Sequence, residues 1–159
     1  MIKVAVSACL LGAPVRYNGS DKRVEHPILQ RWIEEGRVVS ICPEVFGGLG
    51  TPRPPAEIVQ IEGGRRVRAS TGRDVTSEFE LGAAEALEQA VRHGVRVAVL
   101  KDGSPSCGST FVYDGAFTAT RVEGEGVTAA LLRARGLRVF SEREIDGAAA
   151  YLAALDPAG

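Results

Sequence analysis

The chain is poor in what several function classes require. Histidine occurs only at His26 and His93. A cysteine nucleophile wants a positioned histidine beside it, so this scarcity argues against a metal-free cysteine hydrolase. Charge of one sign is lacking too. Lys and Arg number 19 against 20 Asp and Glu, a formal net charge of −1. That balance offers no basic face for nucleic acid, although a local basic pocket stays open. No apolar run approaches the ~20 residues that span a bilayer. Met1-Ile2-Lys3-Val4 leads straight into a strand pattern, without the basic and apolar regions of a secretory signal. The expected compartment is therefore the cytoplasm, with no membrane partner. Cysteine is scarce and odd in number, with three residues far apart. That excludes a small disulfide scaffold and, without a fourth cysteine, a closed four-cysteine zinc site.

What is present is an ordinary core. Apolar residues make up 45% and charged residues 25% of 159 positions, enough for one globular domain. The expected domain covers residues 1–155, with 156–159 as a tail. Short β-branched runs at Lys3–Ala8, Val38–Ile41, Val95–Leu100 and Leu137–Ser141 read as strands. Between them, helical spacing predicts helices from Pro27, over Thr76–His93, over Val127–Arg135 and over Ile145–Leu155. Two extended runs across Gly63-Gly64 read as a β-hairpin, and Phe111–Thr118 as a second hairpin-like insertion turning at Asp114-Gly115. Strands separated by helices predict a three-layer α/β/α fold. Its sheet is doubly wound, mostly parallel and flavodoxin- or Rossmann-like, with a β-hairpin insertion.

Chemistry concentrates after three of those strands. Cys42-Pro43-Glu44-Val45 opens a run to Pro55 that is dense in glycine and proline, which predicts a shaped, non-helical loop. Ser7-Ala8-Cys9 ends the first strand, and Ser104-Pro105-Ser106-Cys107-Gly108 follows the third. Ligands of open α/β sheets sit beyond the carboxyl ends of the strands. Neighbouring parallel strands are ~4.8 Å apart, so three thiols on one rim can reach one centre. Each cysteine alone reads first as a buried core thiol. Together they suit a soft metal centre, either zinc with a histidine or an iron–sulfur cluster with one open corner. His93 ends a helix at the opposite rim, and nothing pins His26 near the thiols.

Three motifs together resemble a known family. They are Ser7-Ala8-Cys9-Leu10-Leu11-Gly12 with Val15–Gly19, Cys42-Pro43-Glu44-Val45 with Gly47-Gly48-Leu49, Pro52-Arg53 and Pro55-Ala56-Glu57, and Leu100-Lys101 with Ser104–Gly108. The chain is similar, nearly to Leu155, to the bacterial and archaeal family that includes the 2-thiouracil desulfidases. The resemblance implies a 4Fe–4S cluster held by Cys9, Cys42 and Cys107. It implies removal of sulfur from a thiolated pyrimidine, a small-molecule substrate, with Glu44 and Ser104 as the acid–base pair. A non-catalytic cluster- or metal-binding sensor is the alternative, and a monomer or weak homodimer is expected.

Residues around these motifs carry lesser claims. Arg16 and Arg53 are candidates for binding a carbonyl or anionic group of the substrate, or for pairing a carboxylate such as Glu57. Tyr17 is a candidate to stack on a flat base. Ser7 and Ser106 flank the cysteines and are candidates to bind substrate or to hydrogen-bond the sulfurs. Lys101 is a site cation or a solvated one. Gly47 and Gly48 read as backbone-shape residues.

Overall fold

The computed structural model describes residues 1–156. Its central sheet has strands β1 (Val4–Ser7), β2 (Val38–Ile41), β5 (Val97–Leu100) and β8 (Arg138–Ser141), in the order β2-β1-β5-β8. All three neighbouring pairs are parallel. The second strand lies outside the first and the later strands lie on its other side, as the doubly wound reading expects.

Side-chain alternation explains the layers. Val4, Val6, Val97 and Val99 face one side, where they pack with Leu29 and Trp32 of α1 (Pro27–Glu34) and Ile145, Ala148 and Leu152 of α5 (Ile145–Leu155). Ala5, Ala98, Leu100 and Val139 face the other, against Ala86 and Ala90 of α3 (Thr76–Arg92) and Ala129 and Leu132 of α4 (Val127–Ala134). Strands β1 and β5 are central and buried on both faces, so they read as continuous apolar runs. Each buried Val or Leu side chain contributes ~1.5–3 kcal/mol.

Two antiparallel hairpins stand apart from the sheet. One joins β3 (Ala56–Ile61) to β4 (Gly64–Ala69), the other β6 (Phe111–Tyr113) to β7 (Arg121–Glu123). The first turn is one residue earlier than the glycine pair suggested. Ile61 pairs Gly64, which leaves Glu62 and Gly63 as the turn. The second hairpin has no tight turn at Asp114-Gly115. Residues 114–120 form a broad loop closed by the Asp114 N–H donating to Thr120 O at 3.0 Å.

The segment after Cys42 also departs from its non-helical reading. Pro43–Phe46 forms one helical turn, α2, with Pro43 in its first position. A proline costs nothing there because the first-turn amide has no intrahelical partner. The Phe46 amide closes the turn on Cys42 O at 2.9 Å, and Gly48 leaves it at φ +88°. At the chain end, Asp156 is held, since its Oδ2 accepts from Ile2 N at 2.9 Å. The rest of the expected tail, 157–159, lies outside the described residues.

The sheet register sets the site. Ser7 pairs Ile41 across β1 and β2, and Val6 pairs Val99 across β1 and β5. The ends of these three strands are therefore level. Cys9, Cys42 and Cys107 all follow them on the same rim.

Candidate active site

One cavity of about 690 Å³ opens on this rim and is lined by Cys9, Cys42 and Cys107 together. Each thiol is delivered by a different device. Cys9 lies in a 3₁₀ turn, Ala8–Leu11, that leaves β1 and ends at Gly12 with φ +98°. That φ favours glycine, and a Cβ there would also have to displace the Arg23 guanidinium, 2.3 Å away. Cys42 is carried by the entry to α2. That turn sits backbone to backbone on α3: a Cβ at Gly82 would lie 1.9 Å from Pro43 O, and one at Gly47 2.0 Å from Glu78 O.

Cys107 is carried by a loop wrapped around a buried carboxylate. Asp102 is 1% exposed. Its Oδ1 accepts from the amides of Gly103, Ser109, Thr110 and Phe111 at 3.1, 3.0, 3.1 and 3.3 Å. Its Oδ2 accepts from the Thr110 hydroxyl and, at 2.6 Å, from Arg143. Burial alone would raise this carboxyl, but the Thr110, Ser109 and Phe111 donors outweigh it and hold it at about 2. Sequence reasoning missed Asp102. The available signal was an Asp-Gly pair directly after a buried strand, just where a loop must turn.

Glu44 projects from α2 into the same cavity. Its Oε2 takes an ion pair from Arg53, and its Oε1 accepts from the Ser104 hydroxyl at 3.3 Å. Ser104 Oγ in turn accepts from the amides of Ser106 and Cys107, both at 3.0 Å. With two donors aimed at its oxygen, the hydroxyl proton is left for Glu44. Arg53 also donates to Gly50 O at 3.1 Å and Thr51 Oγ1 at 3.3 Å, so its partner is Glu44 rather than Glu57.

The other candidates divide. Ser7 lines the cavity and accepts from the Lys101 amide at 2.9 Å, and its hydroxyl opposes the rise of the Cys107 thiol. Arg16 and Tyr17 line the cavity, with the guanidinium 5.6 Å from the Tyr17 ring centre. Among the described residues Arg16 has no carboxylate partner. Lys101 lines it as well, paired to Glu142 at 3.0 Å. Ser106 does not belong with them. It is fully buried, and its hydroxyl bonds Thr128 Oγ1 at 2.7 Å, fastening the cysteine loop to the start of α4. Neither histidine lines the cavity. His26 instead caps α1, its Nδ1 accepting from Ile28 N at 3.1 Å.

The electrostatics describe thiols that hold their protons. Burial, then the Glu44 carboxylate, then Cys42 push Cys9 up to about 11, against a pull from Lys101 and Arg16. Burial raises Cys42 too, opposed by hydrogen bonds from the Val45 and Glu44 amides. Cys107 is raised as well, through burial and then Glu44, with the Ser7 hydroxyl opposing. Three thiols, a carboxylate and adjacent cations form a donor set that a soft cationic centre would convert to thiolates. Among the described residues, no three His, Cys, Asp or Glu side chains close on a single ion. Three soft sulfurs from three separate loops on one cavity wall suit an iron–sulfur cluster, whose irons take thiolate ligands.

Comparison with known proteins agrees with this arrangement. A solved structure described as the 4Fe–4S-dependent thiouracil desulfidase TudS superposes with a TM-score of 0.91, at 49% identity, covering 96% of this chain and 99% of that one. The uncharacterized protein YbbK of Bacillus subtilis (strain 168) is 41% identical over 149 residues, 90% of this chain and 97% of its own length. The model of the 2-thiouracil desulfurase family matches residues 4–144, and the chain belongs to that family.

Proposed function

We propose that this chain is a 4Fe–4S-dependent desulfidase that exchanges the sulfur of a thiolated pyrimidine such as 2-thiouracil for oxygen. One observation carries the reading: three cysteines from three parallel strand ends share one cavity with a hydrogen-bonded Glu44–Ser104 pair. The family and the 49% identical desulfidase support it. Cys9, Cys42 and Cys107 would hold the cluster. When bound, such a cluster supplies a Lewis-acidic iron without a protein ligand, which polarises the substrate's sulfur.

The chain's own groups supply the proton chemistry. Glu44 takes a proton from the water that adds to the thiocarbonyl carbon. A general base needs its water within ~3 Å, and the Glu44 carboxylate lies on the cavity wall to meet one. Arg53 keeps that carboxylate aimed by pairing its other oxygen. Ser104 hydrogen-bonds the ionised Glu44 before the reaction and would then relay the proton taken from water to the sulfur of the adduct. The C–S bond then breaks, the carbonyl forms, and the thiocarbonyl compound and water have become the oxo base and hydrogen sulfide.

The test is iron and acid-labile sulfide analysis on anaerobically reconstituted protein, then a panel of thiolated bases. We expect about four irons per chain, with uracil and sulfide from 2-thiouracil. Cys42→Ala should lose both cluster and turnover. Fully loaded protein that leaves every thiobase intact would sink the desulfidase reading and favour a non-catalytic cluster module.

A further inference from the structure

The cavity has an aromatic wall that the proton chemistry does not use. Of the chain's nine Phe, Tyr and Trp residues, only Tyr17 and Phe117 are exposed, at 39% and 38%. Both line this cavity, and neither belongs to a hydrophobic core cluster. Phe117 lies in the broad loop between β6 and β7, outside all three cysteine motifs.

Its backbone is costly to hold. Phe117 has φ +57°, in the left-handed region that bulky residues rarely enter. A residue persists there only where its surroundings impose it. Here the imposing group is Glu57 on β3. Its Oε1 accepts from the Gly115 amide at 2.9 Å and the Phe117 amide at 3.2 Å. Gly115 presses on the same strand, since a Cβ there would lie 2.8 Å from Ile58 O. The hairpin loop is thus pinned to β3 at two adjoining points, and the ring it presents has no packing role in the core.

We propose that Phe117 is a specificity-determining residue that stacks on the flat ring of the substrate, and that Glu57 is the positioning residue that holds it there. The proposal rests on the reading of the substrate as a thiolated, planar heterocycle. An aromatic face at the cavity rim favours a flat π system over a puckered ring carrying the same thiocarbonyl. Phe117 therefore acts in substrate binding, and Glu44 and Ser104 act in the chemical step.

The experiment uses the reconstituted holoenzyme with 2-thiouracil and its 5,6-dihydro form, which keeps the sulfur but loses the planar ring. Phe117→Ala should lower the ratio of kcat/KM for the planar over the puckered substrate by about tenfold. The loss should fall mainly in KM, with iron content unchanged. Phe117→Trp should restore the ratio. Glu57→Ala should behave like Phe117→Ala, whereas Glu57→Gln, which keeps an acceptor oxygen, should stay near wild type. An unchanged ratio in Phe117→Ala overturns the proposal, as does a loss that falls in kcat alone. If the wild-type holoenzyme leaves both substrates intact, the desulfidase reading fails by itself. Calorimetric binding of uracil then decides on Phe117: weaker binding by Phe117→Ala supports it, and equal or no binding to the wild type overturns it.

Discussion

The Ser104 hydroxyl donates to Glu44 Oε1 at 3.3 Å, while its own oxygen is claimed by the Ser106 and Cys107 amides. One side chain thus joins the proposed base to the loop that carries Cys107. The two residues should therefore fail differently when replaced.

Glu44→Gln keeps the shape and hydrogen-bonding capacity but removes the base. A general base contributes roughly 10²–10⁴ in rate. Sulfide release from 2-thiouracil should fall by about that factor while iron per chain stays at the wild-type value. Ser104→Ala removes the proton donor and also leaves two loop amides unpaired, each costing ~1–3 kcal/mol. It should lose turnover and also release iron faster under a chelator. Equal iron retention in the two variants would contradict the double role of Ser104.

The sheet and the cysteine rim were legible because they rest on short-range pattern. β-branched runs, apolar periodicity and a proline or glycine at each boundary act through local sterics, which sequence displays directly. The three cysteines could be set on one rim because parallel strands end at one edge. What escaped depends on contacts between distant residues. Asp102 matters because four amides converge on it, which only the folded loop creates. Ser106 looked like a neighbour of the sulfur, yet its hydroxyl turns away to Thr128, 22 residues on. Pro43–Phe46 was expected as loop because prolines and glycines cluster there, but the first of those prolines is a good helix opener. Phe117 drew no attention because no local rule predicts which carboxylate will seize a loop amide.

Arg53 holds Glu44 while also bonding Gly50 O and Thr51 Oγ1. A planar fork can serve several acceptors at fixed angles; an ammonium group cannot. Arg53→Lys keeps the charge and should still lower kcat/KM by roughly tenfold, since one charge-assisted hydrogen bond is worth ~1.5–3 kcal/mol. Steady-state kinetics on the reconstituted protein checks this. Wild-type kinetics in the lysine variant would mean that charge alone suffices.

Gly82 sits in the middle of α3, far from the cysteines in sequence, yet it controls where Cys42 and Glu44 stand. A Cβ there meets Pro43 O at 1.9 Å, and backbone cannot swing aside as a side chain can. Gly82→Ala gains ~1 kcal/mol of helix propensity. Against that, forced overpacking costs ~1–3 kcal/mol or more and must push α2 off α3. The net expectation is a lower urea midpoint together with weaker cluster retention. Gly36→Ala is the control, because nothing lies within 4 Å of a Cβ there and its φ of +70° costs backbone strain alone. It should lose stability without losing iron.

Asp102 makes acid stability a readout of the cysteine loop. Its carboxyl lies at about 2 in the folded chain, against 3.8 when unconstrained, so the unfolded chain binds the extra proton in that window. Stability from this group is therefore complete above about pH 4 and is lost as pH falls toward 2, on the order of 2 kcal/mol in all. Asp102→Asn removes the titration. It also leaves Arg143 without its anion and some loop amides without an acceptor, costing about 2–4 kcal/mol at neutral pH. Urea melts of cluster-free protein across pH 2–7 should show wild type and variant converging as pH falls through that window. Parallel curves would mean that another carboxylate governs the acid limb and that the loop does not depend on the Asp102 charge.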